Sequence, residues 1–401
     1  MIIMGIKISN KGSRVSASPT LAIDSKFKAM KAEGLDAVGF GTGEPDFDTP
    51  DHIKQAAIEA LKKGMTKYTP ASGTLALKQA VVRKLKRENN LIYNTSDIVI
   101  SNGAKHSLMN IFTAMLNPGD EVIIPAPYWV SYPEMVKLAD GVPVILQTTE
   151  ENDFKFKIDD LKNAMTDKTV ALVLCSPSNP TGSVYSKDEL QKIADFAVAN
   201  NLVIISDEVY EHLIYDGETV SIASLGEDIK KLTITVNAVS KTYAMTGWRI
   251  GYTACDSAFA KVMGNIQSHA TSNPNSIAQA AATAALDGDL DCVYKMKAEF
   301  LKRRNYMYER INKINGLSCR MPKGAFYIMM NISKIKGKTI DGVKINTSDD
   351  FCSLLLDKKL VALVPGSGFG ADDFVRWSYA TDMKSIEKGL DRLEDFLKDI
   401  K

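Results

Sequence analysis

Paired cysteines are missing from this chain. Its five cysteines, Cys175, Cys255, Cys292, Cys319 and Cys352, are odd in number, scattered and never spaced as CxxC. That excludes a disulfide framework or a zinc-ribbon ligand set and fits buried thiols in a reducing compartment; no metal is expected. An excess of either charge is missing too. Forty-nine basic residues against 48 acidic ones leave a formal net charge of +1, so no field for nucleic acid or an anionic membrane exists. No apolar run approaches the roughly 18–20 residues of a membrane span. The opening, "MIIMGIKISNKGSRVS", holds only a short apolar run and no secretion-signal core, so the expected location is the cytoplasm. Internal repeats and low-complexity segments are absent as well.

What remains is an ordinary well-packed composition. The 401 residues are 45% hydrophobic and 24% charged, enough for a large core in two or three domains. Strand-like runs lie at 97–101, 120–125, 170–176, 202–206 and 232–236, with a sixth at 249–254. Helical patterns separate several of them. One begins after Ser186, with Glu189 at the capping-box position. Continuous β-branched runs between helices predict an α/β fold with a mostly parallel sheet covered on both faces. This large unit is expected over 52–295. A long helical pattern then leads to three further strand-like runs and a closing amphipathic helix. Residues 296–401, with 1–51, are expected to form a smaller α+β unit.

Open parallel sheets bind ligands beyond the carboxyl ends of their strands. The residues at those ends are chemically rich. Gly103, Ala104 and Lys105 follow the first strand, Tyr128 and Trp129 the second, and Asn179 the third. Asp207 and Tyr210 follow the fourth, and Ser240 and Lys241 the fifth. Each has a bland reading beside the functional one. Asp207 could cap a helix, Asn179 could serve a Pro–Gly turn, and Trp129 could pack in the core. Gly103–Lys105 could open a helix that binds no anion. Lys241 resists its bland reading, because a solvated surface lysine does not sit among small and apolar residues. Eight residues later Arg249 poses the same problem. Together, a lysine, a carboxylate, a flat aromatic ring, a helix start and an arginine suit pyridoxal phosphate. The lysine would form a Schiff base with its aldehyde, and the aspartate would pair with its pyridinium nitrogen.

Six ordered stretches carry a resemblance: "GEPDFDTP", "KYTPASG", "PYWVSYPEM", "SPSNPTG", "SDEVYEHLIYDG" and "SKTYAMTGWRIGY". Over nearly its whole length the chain resembles the class I aminotransferases, most closely the prokaryotic subgroup of aspartate aminotransferases. The resemblance implies the pyridoxal-phosphate transferase fold, the cofactor pyridoxal 5'-phosphate and a homodimer. It implies that Lys241 carries the cofactor and shuttles the substrate proton. Asp207 then matches the partner of the ring nitrogen, and Asn179 and Tyr210 match partners of the phenolic oxygen. Trp129 matches the stacking ring. Arg249, with the Gly103–Ala104 turn, matches the phosphate site, and Ser240 stands among the cofactor-binding positions around the lysine. Tyr68 matches a tyrosine that reaches the neighbouring subunit's phosphate. Arg376 and Gly43, with Asn179, match the groups around the substrate α-carboxylate, and Trp129 also borders substrate. Lys105 matches a lysine that meets the distal carboxylate of aspartate or glutamate. Relatives often have Gly-Gly where this chain has Gly103-Ala104, and hydroxyls at both positions where it has Ala238 and Ser240. Some carry a lysine at the position of Ser18.

The implied activity is transfer of the amino group from L-aspartate to 2-oxoglutarate. The alternative is a broader aminotransferase that also takes prephenate or aromatic amino acids. Three rivals fit less well. A C–S lyase or synthase on the same fold does not call for the pair Lys105 and Arg376. A sensor module of a transcription regulator would bring a basic helix-turn-helix stretch, which is not seen here. A dinucleotide dehydrogenase would need a helix after "PGSGFG" at 365–370, where a strand-like run follows.

Overall fold

A computed structural model describes residues 6, 8–16 and 19–400 of the chain. Ser18 lies outside the described residues. A two-residue strand, β1 (Val38–Gly39), comes first. Seven strands then build the main sheet: β2 (Ile98–Ser101), β3 (Glu121–Ala126), β4 (Val142–Gln147), β5 (Thr169–Cys175), β6 (Val203–Asp207), β7 (Thr233–Ala238) and β8 (Gly251–Ala254). Their spatial order is β2-β8-β7-β6-β5-β3-β4. β2, β6 and β7 are almost wholly buried, and β5 is buried through its middle, as continuous apolar runs require when helices cover both faces. The helix Lys187–Asn200 begins as expected: Ser186 Oγ accepts from the Glu189 N–H, and Glu189 accepts in return from the Ser186 N–H.

Two features depart from the expected sheet. β4 falls outside the six strands read from sequence. Its Pro143 argues against a strand and is tolerated because β4 is an edge, paired only with β3. β8 runs antiparallel to both its neighbours, β2 and β7, and begins at Gly251 because Arg249 adopts a left-handed backbone (φ 59°). All other pairings in the sheet are parallel. The carboxyl ends of β2, β3, β5, β6 and β7 therefore share one rim. β8 contributes its starting end to that rim.

The smaller sheet is antiparallel, in the order Val364–Pro365, Phe374–Ser378, Tyr327–Asn331, Ser318–Cys319. β1 pairs in parallel with Val361–Ala362, which fastens the N-terminal segment to the C-terminal part of the chain. The helix Asp291–Lys313 runs unbroken through position 295. Trp377, Phe300, Phe326 and Phe351 are fully buried in the core beneath this sheet. Among the described residues no helix is long and apolar enough to cross a membrane.

Candidate active site

The rim closes around one cavity of about 300 Å³, at the small end of the range usual for cofactor and ligand sites. Gly43, Ala104, Lys105, Trp129, Asn179, Asp207, Tyr210, Ser240, Lys241, Arg249 and Arg376 all line it. These are the residues expected from sequence apart from Gly103 and Tyr68.

The helix Ala104–Met115 follows β2 with Gly103 as its cap. The first-turn N–H groups of a helix have no intrahelical partner and favour an anion. Gly103 is not among the lining residues, and its lack of a side chain has a steric reason. Its φ is +86°, and a Cβ there would stand 2.4 Å from Arg249 Nη2. Arg249 packs onto this turn, donating to Thr246 O at 2.9 Å and, more weakly, to Asn102 O at 3.4 Å. A guanidinium and a helix start therefore meet at one end of the cavity. Replacing a second glycine by Ala104 leaves the backbone N–H in place.

Asp207 ends β6, buried. Tyr132 Oη donates to its Oδ2 at 2.6 Å, and the Val209 N–H approaches its Oδ1 at 3.4 Å. Burial raises the Asp207 carboxyl above its ordinary range; these hydrogen bonds and Lys241 pull the other way. No helix follows Asp207, so it is not a helix cap. Tyr210 and Tyr327 share a hydroxyl–hydroxyl bond of 2.9 Å. Burial lifts both phenols.

Lys241 projects from the single turn Val239–Thr242 after β7 and donates to Gly43 O. Gly43 is held close: a Cβ there would stand 2.8 Å from Tyr327 Oη. Burial, opposed by Glu44 and reinforced by Arg249 and Arg376, brings the Lys241 amine down to about 8. At pH 7.5 roughly a quarter of such amines are neutral, against about 0.1% for an ordinary lysine. Only the neutral amine attacks a carbonyl. Uptake of an aldehyde by the apoprotein should therefore rise with pH to a plateau with its midpoint near 8. A stopped-flow rate still rising tenfold per unit at pH 9.5 would exclude a depressed amine.

Arg376 is 3% exposed and has no carboxylate partner among the described residues. It donates to Asn179 Oδ1 at 2.9 Å and Gly41 O at 2.7 Å, lies 4.5 Å from the Tyr327 ring centroid, and has an unpartnered Nε. Arginine only donates, so Asn179 must turn its carbonyl to Arg376, leaving its amide NH₂ to donate elsewhere. Lys105 stands 4.9 Å over the Trp129 ring, again with no carboxylate partner among the described residues. Burial and Arg249 lower its amine. Tyr68 is 91% exposed and outside this cavity.

Sequence reasoning missed Tyr132, Tyr327, Gly41, Cys175 and Val209, all of which line the cavity, as does Ala238. Tyr132 had a signal: it stands three residues after Trp129 at a helix start, so the two share a side. Tyr327 had a weaker one, in the period-two pattern of its strand. Met329 pairs with Arg376 and Tyr327 with Ser378, so Tyr327 and Arg376 are diagonal neighbours on one face.

The donor set fits one group. An anion site, a buried acid for a ring nitrogen, an amine of lowered basicity, an aromatic wall and a ligand-facing amide make this a pyridoxal-phosphate-dependent transferase. Comparison with known proteins is consistent with this. The family model "Aminotransferase class I and II" matches residues 36–393. An aspartate aminotransferase of Bacillus sp. (strain YM-2) is 47% identical over 392 residues, covering 98% of this chain and 99% of the relative. An aspartate/prephenate aminotransferase of Nitrosomonas europaea is 46% identical over 396 residues, covering 98% and 100%. The crystal structure of an aspartate aminotransferase from Rhizobium meliloti superposes with a TM-score of 0.96 at 41% identity, covering 99% and 100%. The chain belongs to the class I and II aminotransferases.

Proposed function

We propose that this enzyme transfers the amino group of L-aspartate to 2-oxoglutarate, giving oxaloacetate and L-glutamate. The observation that carries this reading is that, beside Lys241 and Arg249 at the cofactor's two ends, the cavity is lined by two further cations, Lys105 and Arg376, without carboxylate partners among the described residues. Arg376 is buried, whereas Lys105 lines the cavity but is exposed. A buried cation without an anion is costly, so Arg376 favours a ligand that brings one, and Lys105 stands ready for a second. Two carboxylates on one substrate satisfy both. The names of the Bacillus and Rhizobium relatives support the same substrate.

The residues divide the work. Arg249 and the first turn after Gly103, with Ala104 and Ser240 alongside, hold the cofactor phosphate. Asp207 pairs with the ring nitrogen, and Tyr132 steadies its carboxylate. Asn179 NH₂ and Tyr210 Oη serve the phenolic oxygen, and Trp129 covers one face. Bound there, pyridoxal phosphate supplies an aldehyde that condenses with amines and a ring that stores the electron pair left by a departing proton. Arg376 grips the substrate α-carboxylate as a fork, with Gly43 and Asn179 beside it. Lys105 meets the distal carboxylate. Lys241 would hold the aldehyde end of the cofactor and, once free, would serve as the base that carries the substrate α-proton. The second substrate reverses these transfers. Residues 1–51 with 296–401 form the unit that closes over substrate and excludes water, against a larger unit over 52–295.

The exposed Tyr68 supports a homodimer in which this ring completes the partner's phosphate site. Five unpaired cysteines suit the cytoplasm. A broader range that includes prephenate is the second reading. Trp129 under Lys105 offers an aromatic wall, and the Nitrosomonas relative carries prephenate in its name.

A panel of amino donors ranked by kcat/KM tests the proposal. Aspartate and glutamate should lead. Lys105→Ala should cut kcat/KM for aspartate by about 30-fold or more, the worth of a charge-assisted contact, and for alanine by less than threefold. Equal losses on both donors would show that Lys105 does not read the distal carboxylate.

A further inference from the structure

Behind the cavity lies a buried polar network that touches no ligand position. The helix Leu75–Asn89 supplies Lys84, Glu88 and Asn89. Lys84 is 1% exposed and Glu211 4% exposed. The Lys84 ammonium contacts Glu211 Oε1, donates to Asn89 Oδ1 at 2.8 Å and lies 3.7 Å from Glu88. Asn89 Nδ2 donates to Glu211 Oε2 at 2.7 Å. Of the three groups that could hold a metal ion, Glu88, Glu211 and His212, the two carboxylates are thus already met by the Lys84 ammonium.

The network then reaches the Lys241 turn from two adjacent residues. Glu211 Oε1 accepts from Asn237 Nδ2 at 2.6 Å, four residues before Lys241. Asn237 Oδ1 in turn accepts from the Ala238 N–H at 2.7 Å. His212 bonds Thr242 Oγ1 through Nδ1 at 3.2 Å, one residue after Lys241, and Glu88 Oε2 through Nε2 at 3.0 Å. The segment 237–242 is therefore held at both ends. Glu211 and His212 directly follow Tyr210 in the turn after β6, so the same residues tie the Lys241 turn to the one that carries Asp207 and Tyr210.

Buried ion networks seldom gain net stability over apolar packing, and leaving one member unpaired costs several kcal/mol. What they supply is directional constraint. Three of the cavity's groups must hold fixed mutual geometry: the amine, the carboxylate and the phenol. Their backbones come from two turns, and the bonds through Glu211 and His212 join those turns.

We propose that Glu211 and His212 are positioning residues that lock the Lys241 turn to the Asp207–Tyr210 turn, with Lys84 and Glu88 fixing them from behind. The inference rests on the reading of Lys241 as the proton carrier. Small errors in such geometry cost rate far more than binding. In the holoenzyme, His212→Gln and the near-isosteric Thr242→Val should each lower kcat with aspartate about 10-fold while KM stays within twofold. The primary isotope effect with α-deuterated aspartate should rise. The visible circular dichroism band of the bound cofactor, which reports its orientation rather than turnover, should change in both variants. Thr242→Ser, which keeps the hydroxyl, should restore all three. Variants whose kcat stays within twofold and whose dichroism is unchanged overturn the proposal, whatever happens to their thermal midpoint. So does a loss that serine does not rescue. Borohydride reduction and peptide mapping of the wild type test the underlying reading separately. Label away from Lys241 sinks that reading, whereas label on Lys241 with unaffected variants sinks only the positioning role.

Discussion

Lys241→Ala should lower turnover by roughly 10⁴-fold, the upper range for removing a general acid–base group. The side chain does two things at the cavity floor that alanine cannot do. It offers an amine whose basicity burial has lowered to about 8, and in the proposed role it would carry the substrate α-proton. Neither needs Arg249, the helix start or Asp207, so the variant should still take up cofactor. The loss should therefore appear in kcat, with cofactor affinity reduced far less. A single-turnover measurement with saturating aspartate checks this. Turnover within tenfold of the parent enzyme would remove Lys241 from the reaction. Added small amines should recover part of the rate, because they can stand in for the missing base.

Arg376→Ala should lower kcat/KM for every amino donor by about 10²–10⁴-fold. The estimate takes two charge-assisted hydrogen bonds at about 1.5–3 kcal/mol each. Unlike Lys105→Ala, this loss should not discriminate between aspartate and alanine, since all donors share the α-carboxylate. Arg376→Lys keeps the charge and loses the fork, so it should recover only part of the activity. Folding should survive in the lysine variant. Asn179 Oδ1 and Gly41 O would keep an ammonium partner, and no buried carboxylate is orphaned. A loss confined to dicarboxylates would contradict the assignment of Arg376 to the α-carboxylate.

Much of this site could be read from the chain, for a physical reason. In a doubly covered parallel sheet the strands are continuous apolar runs, and their ends mark the rim. Asp207, Asn179, Lys105 and Lys241 were legible because each stands within five residues of the end of such a run. Tyr132 and Tyr327 were less legible. Tyr132 acts through Asp207 from a helix, and Tyr327 reaches the cavity from the smaller sheet, across a diagonal that only the pairing with Phe374–Ser378 defines. The six motifs supplied roles that spacing alone could not. β4 escaped because Pro143 masks an edge strand. The union of β1 with Val361–Ala362 escaped because two-residue strands leave no periodic trace. The network of Lys84, Glu88, Glu211 and His212 joins residues more than 120 positions apart, and no local pattern announces it.

The reversal at β8 has a consequence for how the molecule measures its ligand. β7, the turn that bears Lys241, and β8 form one antiparallel excursion, so the segment reaches the rim and leaves it again within 233–254. The amine and the guanidinium are therefore two marks on a single short ruler. The span between them is set by covalent chain length, while the other cavity groups depend on helices and strands packing from separate parts of the chain. A residue inserted between Lys241 and Arg249 would change the scale of that ruler even if every other contact in the protein survived.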